Sequence, residues 1–336
     1  MNTPEISVIM CSFNTKELFL EQAVESILKQ SFSNFELIII DDGSVFFPSL
    51  DHFNDSRVNI VHNKVNKGIS YSRNIGLSLS KGKYIAIMDS DDIAEPNRLQ
   101  CEYDYLESNP NCVACGTWFR QFGEKNNECK RVIDDSNLYK ARLLFDNVPT
   151  LLDPSSMIRK SVIDKYNLKY NEDLKCGMDY LMWIQLTEFG EIHNVKSILM
   201  NYRTHPDQIT KKEREHRENL AIFHQYQYGK LGMYLNDKEI KMIIDPLNSK
   251  KYSLKEYRTF LDRILLSNQS SNYFNQPSLI KAVKYQWHKK ILVSKNIVYL
   301  LRGFFSIRKH KKSILKSFLR HFGLFKNLDR IVDEAN

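Results

Sequence analysis

The chain has 336 residues, of which 42% are hydrophobic, and it contains only 12 glycines and 9 prolines. This composition supports a sizeable core and excludes a disordered or fibrous protein. The formal net charge of +8 is concentrated near the C-terminus, because residues 281–326 hold thirteen Lys and Arg and no Asp or Glu. No apolar run approaches the roughly 20 residues of a membrane-spanning helix and no secretory signal opens the chain, so we expect a cytoplasmic protein.

The first 90 residues alternate apolar runs with segments of helical spacing. Strands are predicted at 6–11, 35–40, 58–62 and 83–88, and helices at 16–30 and 69–80. Strand–helix repetition with continuous apolar strands is typical of a parallel sheet covered by helices on both faces. The predicted fold class is therefore α/β, with a Rossmann-like, mostly parallel central sheet.

The rest of the chain changes character near residue 210. Before that point we predict helices at 96–108 and 178–189, strands at 112–119 and 192–202, and a polar loop at 121–135. Beyond residue 211 the pattern is helical. We therefore predict an α/β domain over 1–210 and a helical C-terminal region over 211–336, with a basic amphipathic segment at 281–326.

Cys112 and Cys115 form a Cys-x-x-Cys pair, which is half of a common zinc-binding pattern. They lie in an apolar run that is typical of a strand, and no second pair of this spacing exists. We interpret them as buried thiols rather than as zinc ligands.

Acidic residues follow two of the predicted strands. Asp41 and Asp42 come directly after the second strand, and Asp89, Asp91 and Asp92 after the fourth. Ligands bind beyond the carboxyl ends of the strands in an open α/β sheet, and carboxylate oxygens are the ligands that Mg²⁺ and Mn²⁺ prefer. A divalent cation at this edge is the favoured interpretation, and ordinary turn residues are the alternative. Neither glycine-rich phosphate fingerprint, GxxxxGK[ST] or GxGxxG, is present.

Four motifs, at residues 7–14, 41–44, 66–76 and 82–92, resemble the family 2 glycosyltransferases of GT-A fold in order and spacing. The resemblance covers residues 5–205 and leaves out the tail. It implies an inverting transfer from a nucleoside-diphosphate sugar, commonly a UDP-sugar. The Gln-x-x-Arg-Trp element of processive polymerases is missing, so transfer of one sugar per encounter is expected.

The resemblance also implies roles for single residues at the donor site. Asp42 matches the aspartate that reads the base, and Cys11 and Phe13 lie where the first loop lines the base pocket. Arg73 matches a basic residue near the nucleotide. Asp89 matches the first acid of the family's Asp-x-Asp pair, near the ribose and the metal.

The second acid of that pair, Asp91, matches the direct ligand of Mn²⁺ or Mg²⁺, and Asp92 is expected only to support it. His205 lies in residues 202–208, which resemble the family's Tyr-Arg-x-His element. It is expected to complete the metal shell or to contact the diphosphate. An ordinary loop histidine is the alternative.

Asp179 matches the family's catalytic base, the second acid of a Glu-Asp pair at the start of a helix. Met178 replaces the usual Glu, which puts in doubt the acceptor contact of that Glu. A simple helix-start acid is the alternative role for Asp179, and Glu172 and Asp173 are nearby rivals as the base. Residues 153–157 match an acceptor-side loop.

The basic segment 281–326 interleaves Lys and Arg with large apolar side chains. Such a segment is typical of a helix that lies on a membrane surface, here the inner face of the plasma membrane. Plain helical packing and nucleic-acid binding are alternatives, of which nucleic acid is disfavoured. The expected acceptor is a glycan or lipid-linked hydroxyl in surface-polysaccharide or lipopolysaccharide synthesis, and the expected sugar a hexose or N-acetylhexosamine. A non-catalytic nucleotide-sugar-binding protein on a degenerate GT-A domain is the second hypothesis.

Overall fold

The structure of the chain, a computed structural model, describes residues 3–131, 133, 135–145, 151–174, 177–206, 217–244 and 252–293. Its first elements are β1 (Ile6–Ser12), α1 (Glu17–Leu28), β2 (Phe35–Asp41), β3 (Val58–His62), α2 (Ile69–Leu79) and β4 (Tyr84–Asp89). The four strands predicted here are confirmed, and each predicted end lies within one residue of the observed end.

The middle of the chain adds shorter elements. They are β5 (Ile93–Ala94), α3 (Arg98–Ser108), β6 (Cys112–Gly123), β7 (Asn127–Cys129), α4 (Ser136–Arg142), β8 (Met157–Arg159), α5 (Lys160–Tyr166), α6 (Met178–Leu186) and β9 (Glu191–Thr204). Several predicted bounds are wrong in detail, and the helix predicted at 178–189 ends at Leu186. The segment 121–135 is not all loop, because β6 runs to Gly123 and β7 pairs with it antiparallel. Helix α3 begins after Asn97 instead of at residue 96.

The nine described strands form one sheet in the order β3-β2-β1-β4-β8-β6-β9-β5, with β7 paired to β6. β1 is parallel to β2 and β4, and β2 is parallel to β3. β8 is antiparallel to both of its neighbours, while β6 and β9 are parallel. Because β1, β2 and β4 point the same way, their carboxyl ends meet at one edge of the sheet.

The strands are continuously apolar because both faces of the sheet are covered. On one face, Leu20, Ala23, Val24 and Ile27 of α1 pack with alternate residues of β1, β2 and β4. On the other face α2 approaches so closely that a Cβ on Gly76 would lie 2.5 Å from Ile9 Cγ2. The Cys112 and Cys115 thiols are buried in β6.

The described residues of the C-terminal region are largely helical, as predicted. Its described helices are α7 (Arg217–Lys230), α8 (Asp237–Ile244), α9 (Leu254–Ser271) and α10 (Gln276–Val293). Together with α4 they enclose an apolar cluster that includes Tyr228, Phe260, Leu261, Ile264 and Leu279. None of the helices within the described ranges is both long and apolar enough to cross a bilayer. Of the basic segment 281–326, residues 294–326 lie outside the described residues.

Candidate active site

Hydrogen bonds join the loops at the carboxyl ends of β1, β2 and β4 into one surface. The Asn14 backbone N–H donates to Ser44 Oγ (2.8 Å), and the Val45 backbone N–H donates to Asn14 Oδ1 (2.9 Å). Thr15 Oγ1 lies 2.7 Å from Ser90 Oγ. Asn14 makes this junction with φ of 51°, a left-handed conformation that Asn tolerates better than most residues.

Asp42 is buried in the loop after β2, and its carboxylate organises the backbone before α2. Oδ1 accepts hydrogen bonds from Asn63 Nδ2 (2.8 Å) and from the Lys67 N–H (3.0 Å). Oδ2 accepts one from the Gly68 N–H (2.8 Å). Since a carboxylate has about four acceptor positions, these bonds leave a position on Oδ2 for the N–H of a ligand.

Asp41 is held differently from its neighbour. Its Oδ2 lies 3.0 Å from His62 Nδ1, and its Oδ1 accepts from the Ser44 N–H (3.0 Å). Burial opposes ionisation, but these hydrogen bonds lower the pKa of the carboxyl below its usual value. All five predicted acids therefore lie at the same sheet edge, but Asp41 and Asp42 are compensated by hydrogen-bond donors.

The three acids at the end of β4 do form a group. Asp89, Asp91 and Asp92 each place a carboxylate oxygen within 4.8 Å of the other two. The end of β9 brings His205 to the same place, with Nε2 2.8 Å from Asp91 Oδ2. A third of the Asp89 side chain stays exposed. Even so, burial, opposed by Arg73, raises the pKa of this carboxyl to about 6.

The carboxylate oxygens of this group fit a hard divalent cation. Asp92 is fully buried, and burial together with Asp91 and Asp89 raises its pKa well above the usual value. Its Oδ1 accepts from the Arg203 N–H (2.7 Å), but no hydrogen-bond donor within the described part of the chain reaches Oδ2. Clustered carboxylates with raised pKa values need a nearby positive charge to stay ionised at neutral pH. Their oxygens are ligands suited to Mg²⁺ and Mn²⁺.

Arg203, on β9, supports the backbone of the three-acid group. Its Nε donates to the Asp91 carbonyl (2.6 Å), and its own N–H donates to Asp92. The guanidinium is stacked between Phe19 (4.1 Å to the ring centroid) and Phe122 (4.5 Å). Arg203 therefore holds the loop after β4 in place from the side of β9.

Arg73, on α2, is buried between two acids from different segments of the chain. It forms ion pairs with Asp153 and with Asp89, the latter at 3.4 Å, and its guanidinium lies 5.2 Å from the Tyr170 ring. Burial opposes its charge, but the carboxylates, Asp153 first, raise the pKa of the guanidinium above its usual value. Arg73 thus remains positively charged beneath the three-acid group.

Asp179 is the second residue of α6, which follows Gly177 in the left-handed region. Burial raises the pKa of its carboxyl, while Arg73 and the N–H groups of the first helical turn oppose this shift. The charge of Asp179 contributes in turn to the raised pKa of Asp89. Asp179 and the three-acid group therefore share one electrostatic environment.

The rival acids near Asp179 are placed differently. Glu172 and Asp173 are exposed, and Glu172 accepts a hydrogen bond from Asn74 Nδ2 (2.8 Å). Met178, which stands where the family has Glu, is buried in the apolar cluster around α6. Asp179 is therefore the partly buried acid of this segment, and Met178 offers no polar group to an acceptor.

The two predicted wall residues of the base pocket differ in exposure. Cys11 lies at the end of β1, where burial raises the pKa of its thiol to about 12, so it stays neutral. Phe13 lies on the outer side of the same loop, with 48% of its surface exposed. The pair offers a small, partly buried thiol and an exposed aromatic ring beside Asp42.

Sequence reasoning did not identify the supporting residues of the site. The sequence places Asp153 only in a predicted acceptor-side loop, and its ion pair with Arg73 joins segments that no local pattern connects. Asn63, which donates to Asp42, follows β3 without any motif. Arg203 had one available signal, its place in the Tyr-Arg-x-His element.

Comparisons with known proteins identify the family and the fold. Residues 7–166 match the family model described as Glycosyl transferase family 2. An uncharacterized glycosyltransferase, MJ1057 of Methanocaldococcus jannaschii, is 30% identical over 210 residues, which cover 60% of this chain and 72% of that protein. An uncharacterized glycosyltransferase of Haemophilus influenzae is 28% identical over 333 residues, or 92% and 98% of the two chains.

Two proteins of Staphylococcus aureus add a named activity and a solved fold. The poly(ribitol-phosphate) beta-N-acetylglucosaminyltransferase TarP is 29% identical over 206 residues, covering 57% of this chain and 60% of TarP. The crystal structure of TarS residues 1–349 covers 88% of this chain and 91% of that one, with a TM-score of 0.57 at 15% identity. The same TarS fragment is also solved with UDP and with UDP-GlcNAc. The TarS likeness shows a shared fold.

Proposed function

The chain belongs to glycosyltransferase family 2, and we propose that it transfers a sugar from a UDP-sugar to an acceptor hydroxyl, with inversion at the anomeric carbon. The observation that carries this proposal is the position of Asp179. It is a partly buried carboxylate at a helix start, and its charge acts on the group formed by Asp89, Asp91 and Asp92. One acid to accept a proton and a group of acids to hold a cation are what the reaction requires.

The donor nucleotide is proposed to bind over the ends of β1 and β2. The open acceptor position on Asp42 Oδ2 suits the N3–H of uracil, which is a donor. Phe13 offers an exposed ring for stacking against the base, and Cys11 stays neutral beneath it. That the structures of TarS include complexes with UDP and UDP-GlcNAc supports a uridine nucleotide.

The residues proposed to hold Mn²⁺ or Mg²⁺ are Asp91 and Asp89, with His205 beside Asp91. When bound, the cation would offset the negative charge that develops on the departing diphosphate. Asp92 and Arg203 position the loop, and Arg73 supplies a fixed positive charge below it.

The proposed chemistry is one displacement. Asp179 accepts the proton of the acceptor hydroxyl while that oxygen forms a bond to the anomeric carbon. The bond from the anomeric carbon to the phosphate oxygen breaks on the opposite face, and UDP leaves with the electron pair. Burial raises the pKa of Asp179, which makes its carboxylate a stronger base than an exposed one.

The acceptor is proposed to be a hydroxyl of a surface glycan or of its lipid-linked precursor, and the sugar a hexose or an N-acetylhexosamine. The relative TarP supports this class, since its name gives poly(ribitol-phosphate) as the acceptor and N-acetylglucosamine as the sugar. We also propose that the enzyme works at the cytoplasmic face of the membrane. The basic and apolar composition of residues 281–326 supports this location.

The test is a calorimetric titration of the protein with UDP, with and without Mn²⁺, followed by an assay of UDP release from UDP-sugars. The account predicts binding that is strengthened by Mn²⁺ and weakened by Asp91→Ala. Asp104→Ala, which removes an exposed acid from α3, is the matched control and should bind as the wild type does. No binding of UDP in any condition would refute the donor assignment. Binding without turnover of any UDP-sugar would favour the non-catalytic hypothesis, to which the replacement of the family Glu by Met178 points.

A further inference from the structure

Helix α7 of the C-terminal region contacts both ends of α6, the helix that carries Asp179. Phe223, Tyr226 and Lys230 share one face of α7, because residues three and four apart are neighbours on a helix surface. Phe223 meets the residue before α6, whereas Tyr226 and Lys230 reach Glu188, just beyond its last residue. Helix α7 therefore contacts the residues that flank α6 on both sides.

At the first end, the Phe223 ring lies directly on the backbone of Gly177. A Cβ added to Gly177 would be 2.6 Å from Cζ and 2.7 Å from Cε2 of that ring. Gly177 has φ of 70° and Phe223 is fully buried, so neither partner has free space in which to move. The ring thus fixes the point from which the first turn of α6 begins.

Asp179 lies within this turn, between two residues that touch Phe223. The ring of Tyr180 has its centroid 5.6 Å from that of Phe223, and the Tyr180 hydroxyl donates to the Leu143 carbonyl. The Asp179 carboxylate itself interacts with the N–H groups of residues 179 and 180. A shift of the turn would therefore carry the carboxylate with it.

The other end of α6 is held by hydrogen bonds. Glu188 accepts from the Tyr226 hydroxyl (3.0 Å), the Tyr273 hydroxyl (2.9 Å) and Lys230 Nζ (3.4 Å). Tyr273 lies between α9 and α10, so two separate parts of the helical region meet the same carboxylate. Rotation or sliding of α6 is opposed at both of its ends.

We propose that Phe223 is a positioning residue for Asp179, and that the helical region takes part in sugar transfer through this contact. The inference rests on the proposed function, which gives Asp179 its role as base. It assigns to the C-terminal region a task distinct from any membrane contact of its basic segment. A displacement of about 1 Å at a catalytic group lowers a rate by roughly 100-fold, so a loosened first turn should be visible in kcat.

The test compares Phe223→Ala and Phe223→Leu with Phe260→Ala in the full-length protein. Phe260 is a matched control, because it is a buried phenylalanine of the same helical region that packs on Tyr228 and Tyr257, away from Gly177. Three quantities are measured at a temperature where all variants are folded. They are kcat for UDP release, the Kd for UDP, and hydrogen–deuterium exchange of the α6 amides.

For Phe223→Ala we expect kcat to fall by roughly 100-fold with the Kd for UDP changed by less than about threefold, together with faster exchange at the start of α6. Phe223→Leu refills part of the space, so its kcat should be about tenfold higher than that of Phe223→Ala. Phe260→Ala should leave kcat and α6 exchange close to the wild type. If Phe223→Ala does not fold, Phe223→Leu carries the test, with an expected loss of about tenfold in kcat.

Equal losses of kcat in Phe223→Ala and Phe260→Ala would overturn the inference, because general destabilisation would explain both. Unchanged α6 exchange in the Phe223 variants would overturn it as well, whatever the activity. A wild-type protein that turns over no UDP-sugar would instead refute the proposed function, and the role in transfer with it. The exchange measurement still reports on the contact in that case, so the two failures are distinguishable.

Discussion

Asp42→Asn replaces the carboxylate that we propose reads uracil by a side chain of the same shape without charge. The amide oxygen can keep the two hydrogen bonds from Asn63 and Lys67 that Oδ1 now accepts. The NH₂ group then faces the Gly68 N–H, which loses its hydrogen-bond acceptor. The same NH₂ group also presents a donor to the N3–H of uracil, so two donors face each other. A hydrogen bond to a charged group is worth about 1.5–3 kcal/mol, so the Kd for UDP should rise roughly 10- to 150-fold.

The same substitution should change the preference between nucleotides. Cytosine presents an acceptor at N3 where uracil presents a donor, and the amide of Asn at this position would pair with that acceptor. Calorimetric titrations with UDP and CDP in the presence of Mn²⁺ measure both affinities. We expect the ratio of CDP affinity to UDP affinity to be higher in Asp42→Asn than in the wild type.

Asp41→Asn is the matched control for this experiment. Asp41 is the adjacent residue and equally buried, but its partners are His62 and the Ser44 N–H, so its loss should leave the UDP–CDP preference unchanged. Thermal unfolding of both variants checks that each is folded during the titration. Equal effects of the two substitutions, or an unchanged UDP affinity in Asp42→Asn, would refute the assignment of the base-reading residue.

Three further predictions concern the base and the loop after β4. Asp179→Asn should lower kcat about 10²- to 10⁴-fold while UDP still binds. Glu172→Gln and Asp173→Asn should keep a kcat near that of the wild type. A loss of kcat confined to Glu172→Gln or Asp173→Asn would assign the role of base to that residue. Because burial raises the pKa of Asp179, kcat should fall as pH drops through a pKa above the ordinary Asp value of about 3.9. A kcat–pH profile whose acid limb reports a pKa at or below that value would contradict this. Arg203→Leu should weaken Mn²⁺-dependent UDP binding roughly tenfold. The control Arg258→Leu breaks an exposed ion pair on α9 and should have no effect on UDP binding. Equal effects of the two substitutions would show that Arg203 does not support the loop after β4.

The strands of the sheet were predictable to different degrees, for a physical reason. β1, β2 and β4 are buried on both faces, so their apolar composition alone marks them. β7 and β8 have three residues each, too few for a period to emerge. Their position is set by pairing with β6, a long-range contact that no local pattern encodes.

The candidate site shows the same division between local and long-range information. Asp42, Asp89 and Asp91 could be predicted because parallel strands present their following residues at one edge. The contacts that hold them, such as the ion pair of Arg73 with Asp153, join segments far apart in sequence. The contacts of α7 with the residues that flank α6 are equally invisible in the sequence, where residues 217–230 are distinguished only by helical spacing.

The central claim is a direct, inverting transfer with Asp179 as base, and proton NMR of the product tests it most directly. The protein is incubated with an α-linked UDP-sugar, Mn²⁺ and a small alcohol as acceptor, and the coupling of the anomeric proton in the new glycoside is measured. The account predicts a β-glycoside from the wild type and almost none from Asp179→Asn. An α-glycoside, or equal yields from the two proteins, would contradict it.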